Sequence, residues 1–490
     1  MIRVALVHTV KDYQGIRPPF GPGKQHPELT RLGGGSSSEP PNPVYAAVRQ
    51  ALAALGLDAE AFGSEAWNPL GALVDRGQRV VLKPNFIRHW NPSAEGTLES
   101  VVTHASILRA IADYALLAVG PDGSVVIAEA PQQDCSFATL ARRIGLPELQ
   151  AFYAEQLGRE LGVIDLRREE VSTRDGVIVE RRPLPGDPAG YRVVDLGARS
   201  FFQGAGLDPQ RFRGADYDPA PTSEHHRDGR NEYLLSETVL SADLVVNLPK
   251  LKTHKKTGTT LALQNLVGIN GDKNWLPHHC VGPVAEGGDE YPGQRPLDRW
   301  RTRGAEHAKR WLRRGRGIGM VRLLRRLEFR VRGDGFIRAG NWHGNRTTWR
   351  MALDLNRCLY YSGVDGLQLD APAPVRTVLT LLDGIVAGEG EGPLAPRDRP
   401  LGALVASTDP VAVDLVALRL MGFDEERIPK IREAMLDPGP RITSVRKTSD
   451  VEVALVQGES CRTVALDAVP CERPFEPHPG WKGHIERKAS

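Results

Sequence analysis

Nine of the chain's 25 lysine and asparagine residues fall between Asn247 and Asn274, where an even spread would put between one and two. Only 13 of the 63 basic residues are lysine, so each lysine is informative. Within this window Val246-Asn247-Leu248-Pro249-Lys250-Leu251-Lys252-Thr253-His254-Lys255-Lys256 reads as a buried strand running into a proline-punctuated loop. Thr260–Val267 then reads as a helix. Open α/β sheets bind ligands at strand carboxyl ends, and a helix start adds free N–H groups and a positive dipole end. Lysines placed there suit a phosphate or carboxylate as point charges. Asn247, Lys250 and Lys255 are therefore candidate substrate ligands, with His254 the acid/base group and Lys252 beside it as a second catalytic candidate. The polar turn Gly268–Asn274 adds Asn270 and Lys273.

Lys83-Pro84-Asn85 ends another core-type strand, and in a parallel sheet Lys83 and Asn85 share an edge with Lys250 and Lys252. Carboxylates occupy similar positions. Glu129 ends a strand before Pro131, Asp383 ends one before Gly384, and Glu389-Gly390-Glu391-Gly392-Pro393 reads as a tight acidic turn. Such groups could hold a divalent cation, Mg²⁺ or Mn²⁺, or share proton transfer. The expected division is Glu389 in catalysis, with Asp383, Glu391 and Glu129 as metal ligands. Asp409, in Thr408-Asp409-Pro410, fits a helix cap better than a site. The adjacent pairs His225-His226 and His278-His279 lack the i,i+4 spacing of a helical chelate.

These residues need a frame. Strands are expected at 2–8, 79–82, 124–130, 242–247, 374–383, 401–407 and 451–456. Helices are expected at 44–56, 104–119, 137–162, 410–420 and 424–436, and a hairpin at 176–198. Strand, helix, strand at this spacing favours a parallel sheet. The fold class is α/β: a mostly parallel sheet core with flanking helices and an inserted basic helical segment. The expected units are a core of 1–290 plus 345–470, in one or two lobes, an insertion at 291–344 and a tail at 471–490. The Gly/Pro-rich stretch 9–43 reads as a lid or binding loop over the site.

Composition bounds the function. With 490 residues, 41% hydrophobic and 25% charged, the chain is an ordinary globular protein, and no apolar run approaches the ~20 residues of a membrane span. Five scattered cysteines without a C-x-x-C pair exclude a disulfide scaffold and a ferredoxin-type cluster. A cytoplasmic setting is expected, with contact at a membrane periphery. Residues 299–332 carry 13 Lys/Arg against two Glu, so this segment is +11 while the whole chain is +3. Interleaved apolar residues make it an amphipathic basic helix, suited to an anionic membrane surface or an acidic partner. No nucleic-acid reader motif accompanies it, so nucleic acid is not an expected partner.

Taken in order, these segments resemble the domain of unknown function 362 family. The matching blocks are Lys83-Pro84-Asn85; Thr103-His104 through Glu129-Ala130-Pro131; and Asn247 to His254 with Asn265, Gly268 and Asn270. They continue with Gly344-Asn345-Arg346-Thr347-Thr348-Trp349-Arg350 and Leu353–Asn356, then Asp383-Gly384, Glu389–Pro393 and Asp409–Asp414. The resemblance spans about 80–420 and is most specific at Asn247–His254. It implies an α/β fold, an enzyme of unassigned chemistry, and Asn265 as a further substrate-binding residue. Two departures stand out. Many relatives carry a cysteine-rich ferredoxin-like module, absent here, so no iron–sulfur cluster is expected. Long relatives often have an acid where this chain has Arg346. The resulting expectation is an enzyme acting on an anionic small molecule, phosphorylated or carboxylated, by metal-assisted or acid/base chemistry. The alternative is a non-catalytic protein binding an anionic ligand or lipid at a membrane surface.

Overall fold

Alternation of apolar residues along the strands sends side chains to both faces of one large sheet, and each face is covered by helices. Val4 and Leu6 join one buried cluster, with Val245, Leu382 and residues of the helices Thr348–Tyr361 and Pro410–Met421. Ala5 and Val7 join the other, with Val246, Leu381 and the helices Pro43–Ala54 and Ala105–Val119. Strands buried on both faces read as near-continuous apolar runs, as Leu244–Leu248 does.

The computed structural model describes residues 1–33, 40–174, 177–293, 296–313, 319–320 and 339–488. Along its main path the sheet runs Ser460–Ala465, Val451–Gln457, Ile2–His8, Ala395–Ser407, Thr377–Glu391, Leu244–Leu248, Arg79–Pro84, Ser124–Glu129, Leu161–Asp165. The half from Thr377–Glu391 to Leu161–Asp165 is parallel throughout. The strand Ala395–Ser407 is antiparallel to both neighbours. The fold is thus α/β with mostly parallel strands. Among the described residues, no helix is long and apolar enough to cross a membrane.

Four expectations are corrected. The 137–162 helix is two helices, Phe137–Arg143 and Leu146–Leu157, followed by a strand, because Gly145 takes a left-handed conformation at φ 78°. The hairpin lies at Glu169–Arg174 and Val177–Pro183, whereas Tyr191–Asp195 pairs with Glu232–Ser236. The Glu389–Pro393 turn is mostly strand, since cross-strand pairing with Ala395–Ser407 extends to Glu391. The expected 471–490 tail, as far as residue 488, packs into the core through Phe475, Trp481 and Ile485. Of the basic insertion, Pro296–Arg313 is helical, and 314–318 and 321–338 lie outside the described residues.

Candidate functional site

Three adjacent strand ends and the segment after Pro249 bring the scarce lysines together. Asn247 lies opposite Lys83 in the parallel ladder. Pro249 interrupts the strand, its carbonyl accepts from Asp383 N (2.8 Å), and Lys250–His254 resumes with Lys250 opposite Asp383. Lys250, Lys252 and His254 alternate with Leu251 and Thr253, so the three basic side chains leave one face of the strand.

At the inner end of this row each lysine has a defined partner. Lys83 is ion-paired with Glu129, and both are buried. Lys250 Nζ lies 2.8 Å from Asp383 Oδ2, close enough for an ion pair but not aligned as a hydrogen bond. Asp383 also accepts from Tyr13 OH (2.5 Å) and His104 N (3.1 Å), and the Tyr13 ring stacks on His104 at 3.8 Å. Lys252 Nζ donates to Asn85 Oδ1 (2.8 Å) and to the Val101 carbonyl. An amide chain fixes these positions. Asn85 Nδ2 donates to Asn265 Oδ1 (2.7 Å), and Asn265 Nδ2 donates to Asn247 Oδ1 (2.7 Å). Asn247 Nδ2 in turn donates to the Ala262 carbonyl (3.1 Å).

Burial lowers the pKa of Lys83 and Lys250, against the pull of Glu129 and Asp383. Lys252 is lowered well below the ordinary lysine value, by burial first and then by Lys250. No ion pair offsets this among the described residues. The two acceptors on Lys252 match the two hydrogens of a neutral amine, which keeps its lone pair, whereas an ammonium has three to place.

Past Lys252 the row enters a region dense in buried basic groups, where Asp289 and Glu290 face Lys256 without a direct ion pair among the described residues. His254 Nδ1 accepts from Lys256 N (3.1 Å) and Thr257 N (3.2 Å), which assigns the neutral ring its proton at Nε2. Burial, then Lys430, Lys255, Lys256 and Lys252, hold His254 well below the usual histidine value. Lys256 Nζ donates to the Ala339 carbonyl, and burial, then Lys255, lower it to about 7, against Asp289 and Glu290. Lys273 Nζ donates to the Val267 carbonyl (3.2 Å) and is also lowered to about 7 by burial, against the pull of Glu129. Burial, then Lys256, lowers His278 to about 4 and holds His279, whose buried Nδ1 has no hydrogen-bond partner among the described residues, well below the usual histidine value. A site that buries this much cationic capacity either sheds protons or takes in an anion.

The sequence candidates therefore divide. Lys83, Asn85, Asn247, Lys252 and Asn265 form one hydrogen-bonded cluster, Lys250 stands beside it in its ion pair with Asp383, and His254, Lys255, Lys256 and Lys273 bond only to backbone groups or act through their charge. Asn270 does not join the cluster: its Oδ1 accepts from Leu234 N (2.9 Å) and its Nδ2 donates to the Asp272 carbonyl (2.7 Å). Glu389 accepts from Arg473 Nη2 (3.0 Å) and Glu476 N (3.1 Å), so it clamps the C-terminal segment and does not serve His254. Glu391 pairs with His478 at 3.2 Å. Asp383, Glu391 and Glu129 are not a metal site together. Each is held by a different basic residue, Lys250, His478 and Lys83 in turn. Among the described residues no group of three or more His, Cys, Asp or Glu converges to hold a metal.

Some contributors were not anticipated. Tyr13 comes from the 9–43 stretch, whose described residues include pinned ones. Glu28 pairs with Arg49 at 2.6 Å and Arg109 donates to the Pro19 carbonyl at 2.9 Å. Lys430 donates to the Thr259 and Thr260 carbonyls, while Asp414 accepts from Ala262 N (2.6 Å) and Leu263 N (3.3 Å). Together they hold the turn that carries Asn265. Trp481 donates to the Lys255 carbonyl (2.8 Å). The scarcity of lysine could have flagged Lys430; nothing in the Gly/Pro-rich loop singles out Tyr13.

The model of the domain of unknown function DUF362 matches residues 162–419, more than half of the chain, and the chain belongs to that family. It is also 25% identical over 253 residues to a thylakoid-associated protein of Synechocystis sp., a match covering 51% of this chain and 54% of that protein. The chain thus spans about half the length of this relative.

Proposed function

We propose that this DUF362 protein is an enzyme that binds an anionic small molecule, phosphorylated or carboxylated, beside the Lys250–Lys252–His254 row and acts on it by acid/base chemistry. The observation that carries this reading is the crowding of buried basic groups around His254 and Lys256: Asp289 and Glu290 act on Lys256, but among the described residues no carboxylate lies within ion-pair distance of Lys255, Lys256 or Lys273. An anion seated there draws protons back onto Lys256 and Lys273 and recovers the Coulomb energy that burial otherwise loses. In this reading Lys255, Lys256 and Lys273 hold the anion, and Lys83 and Lys250, fixed by their carboxylates, set the position of Lys252. Neutral Lys252 is the base, and His254, with its proton on Nε2, is the donor. A setting close to a membrane belongs to the same reading, since the relative is named for association with thylakoids.

Thermal-shift titration with sulfate, phosphate and malonate tests the binding part. Wild type should gain stability with added anion, and Lys256→Met should lose most of that gain, with at least a tenfold weaker midpoint. The exposed-residue control Arg462→Ala should match wild type. Equal responses of Lys256→Met and Arg462→Ala would remove the site assignment.

A further inference from the structure

We propose that the Pro296–Arg313 helix is a docking element for the surface of a bilayer containing anionic lipid, with Trp300 and Trp311 entering the interface. No side chain of this helix is assigned to hold the anion, and its orientation is fixed by its inner face. Thr302 Oγ1 donates to Glu290 (3.1 Å) and Glu306 pairs with Arg213 (2.8 Å). Leu312 is buried, in a small cluster with Val177 against Tyr217 and Ala308. What remains outward is a stripe of the opposite character. Trp300 is 72% exposed and Trp311 46% exposed. Eleven residues make three turns to within about 20°, so the two indoles share a face, roughly 16 Å apart along the axis.

Arg303 and Arg310 lie on the same stripe and have no carboxylate partner among the described residues. Arg299 and Arg313 flank them in exposed pairs with Glu286 and Asp218. The only carboxylate on the described side chains of this helix, Glu306, is turned inward. Two exposed indoles on one line beside arginines make a strip both apolar and positively charged. At a lipid headgroup layer the indoles gain an amphipathic environment and the arginines gain anionic partners. Both indoles on one line fit a flat surface met side-on. No concave groove is needed to receive them.

Co-sedimentation of the full chain with large unilamellar vesicles, of phosphatidylcholine alone or of phosphatidylcholine with 30% phosphatidylglycerol, tests this. Wild type should bind the anionic vesicles at least tenfold better than the neutral ones, and binding should weaken between 50 and 300 mM salt. The variant Trp300→Ala/Trp311→Ala and the variant Arg303→Glu/Arg310→Glu should each lose most of the binding while keeping the wild-type far-ultraviolet circular dichroism and thermal midpoint. Lys256→Met should bind vesicles as wild type does, which separates this surface from the anion site. No preference for anionic vesicles would overturn the proposal. So would undiminished binding by the tryptophan variant, and that result joined to tight binding of polyglutamate would identify an acidic polypeptide as the partner instead.

Discussion

At the scale of single residues the site is defined by what cannot be changed around it. A Cβ on Gly268 would run into Glu129 Oε1 and Lys83 Nζ, so only glycine lets that backbone lie against the ion pair. Gly268→Ala should destabilise the fold by about 2–4 kcal/mol in urea unfolding, as overpacking and disturbance of a buried pair combine; a loss below 0.5 kcal/mol would mean the pair is not clasped there. The lowered lysines give a second test with a definite sign. Lys256 and Lys273 titrate near 7 in the fold and near 10.4 unfolded. Above pH 7 the unfolded chain therefore binds more protons, and stability should rise with pH from 7 to 9. Thermal midpoints of wild type should follow that slope, and Lys256→Met/Lys273→Met should flatten it. At this scale the sequence disclosed the lysines because lysine is rare, and their strand-end positions followed from Pro84 and Pro249. It could not separate Asn265, which links Lys83 to Asn85, from Asn270, which serves only backbone groups. The two have the same chemistry and differ only in the surfaces that meet them.

Elements place those residues, and one of them rests on a capping carboxylate. Asp409 accepts from Val411 N and Ala412 N at the start of Pro410–Met421, and also from Thr443 Oγ1 and Ser444 N. The capping role was legible from Thr408-Asp409-Pro410; the second pair of donors, more than 30 residues away, was not. Asp409→Ala should cost about 2–3 kcal/mol, more than an ordinary cap, because it also strands the Thr443 hydroxyl. Anion affinity in that variant should stay within twofold of wild type by calorimetry. A large loss of affinity with little loss of stability would instead place Asp409 in the site. The strand Thr377–Glu391 was legible only in part. Its outer half is Gly-rich and acidic and reads as a turn, yet pairing with Ala395–Ser407 carries it on to Glu391, where Glu389 and Glu391 bind the C-terminal segment.

For the whole molecule, the order of strands explains why the cluster lies where it does. The parallel half of the sheet points the ends of Arg79–Pro84, Ser124–Glu129 and Leu244–Leu248 the same way, and the antiparallel Ala395–Ser407 strand joins this half to Ile2–His8. Alternation and turn residues made the α/β class readable. The antiparallel insertion, the contact of Tyr13 with Asp383 and the packing of Trp481 were not readable, because each depends on contacts across hundreds of residues.

The crowding of buried basic groups around His254 and Lys256 is there to receive an anion. Isothermal titration with sulfate at pH 8, in two buffers of different ionisation enthalpy, tests it most directly, since sulfate carries no titrating proton of its own there. Binding should be accompanied by uptake of about one proton or more per sulfate, as Lys256 and Lys273 recharge. The uptake should vanish in Lys256→Met/Lys273→Met and persist in Arg462→Ala. Absence of binding, or binding whose heat is the same in both buffers, would contradict the account.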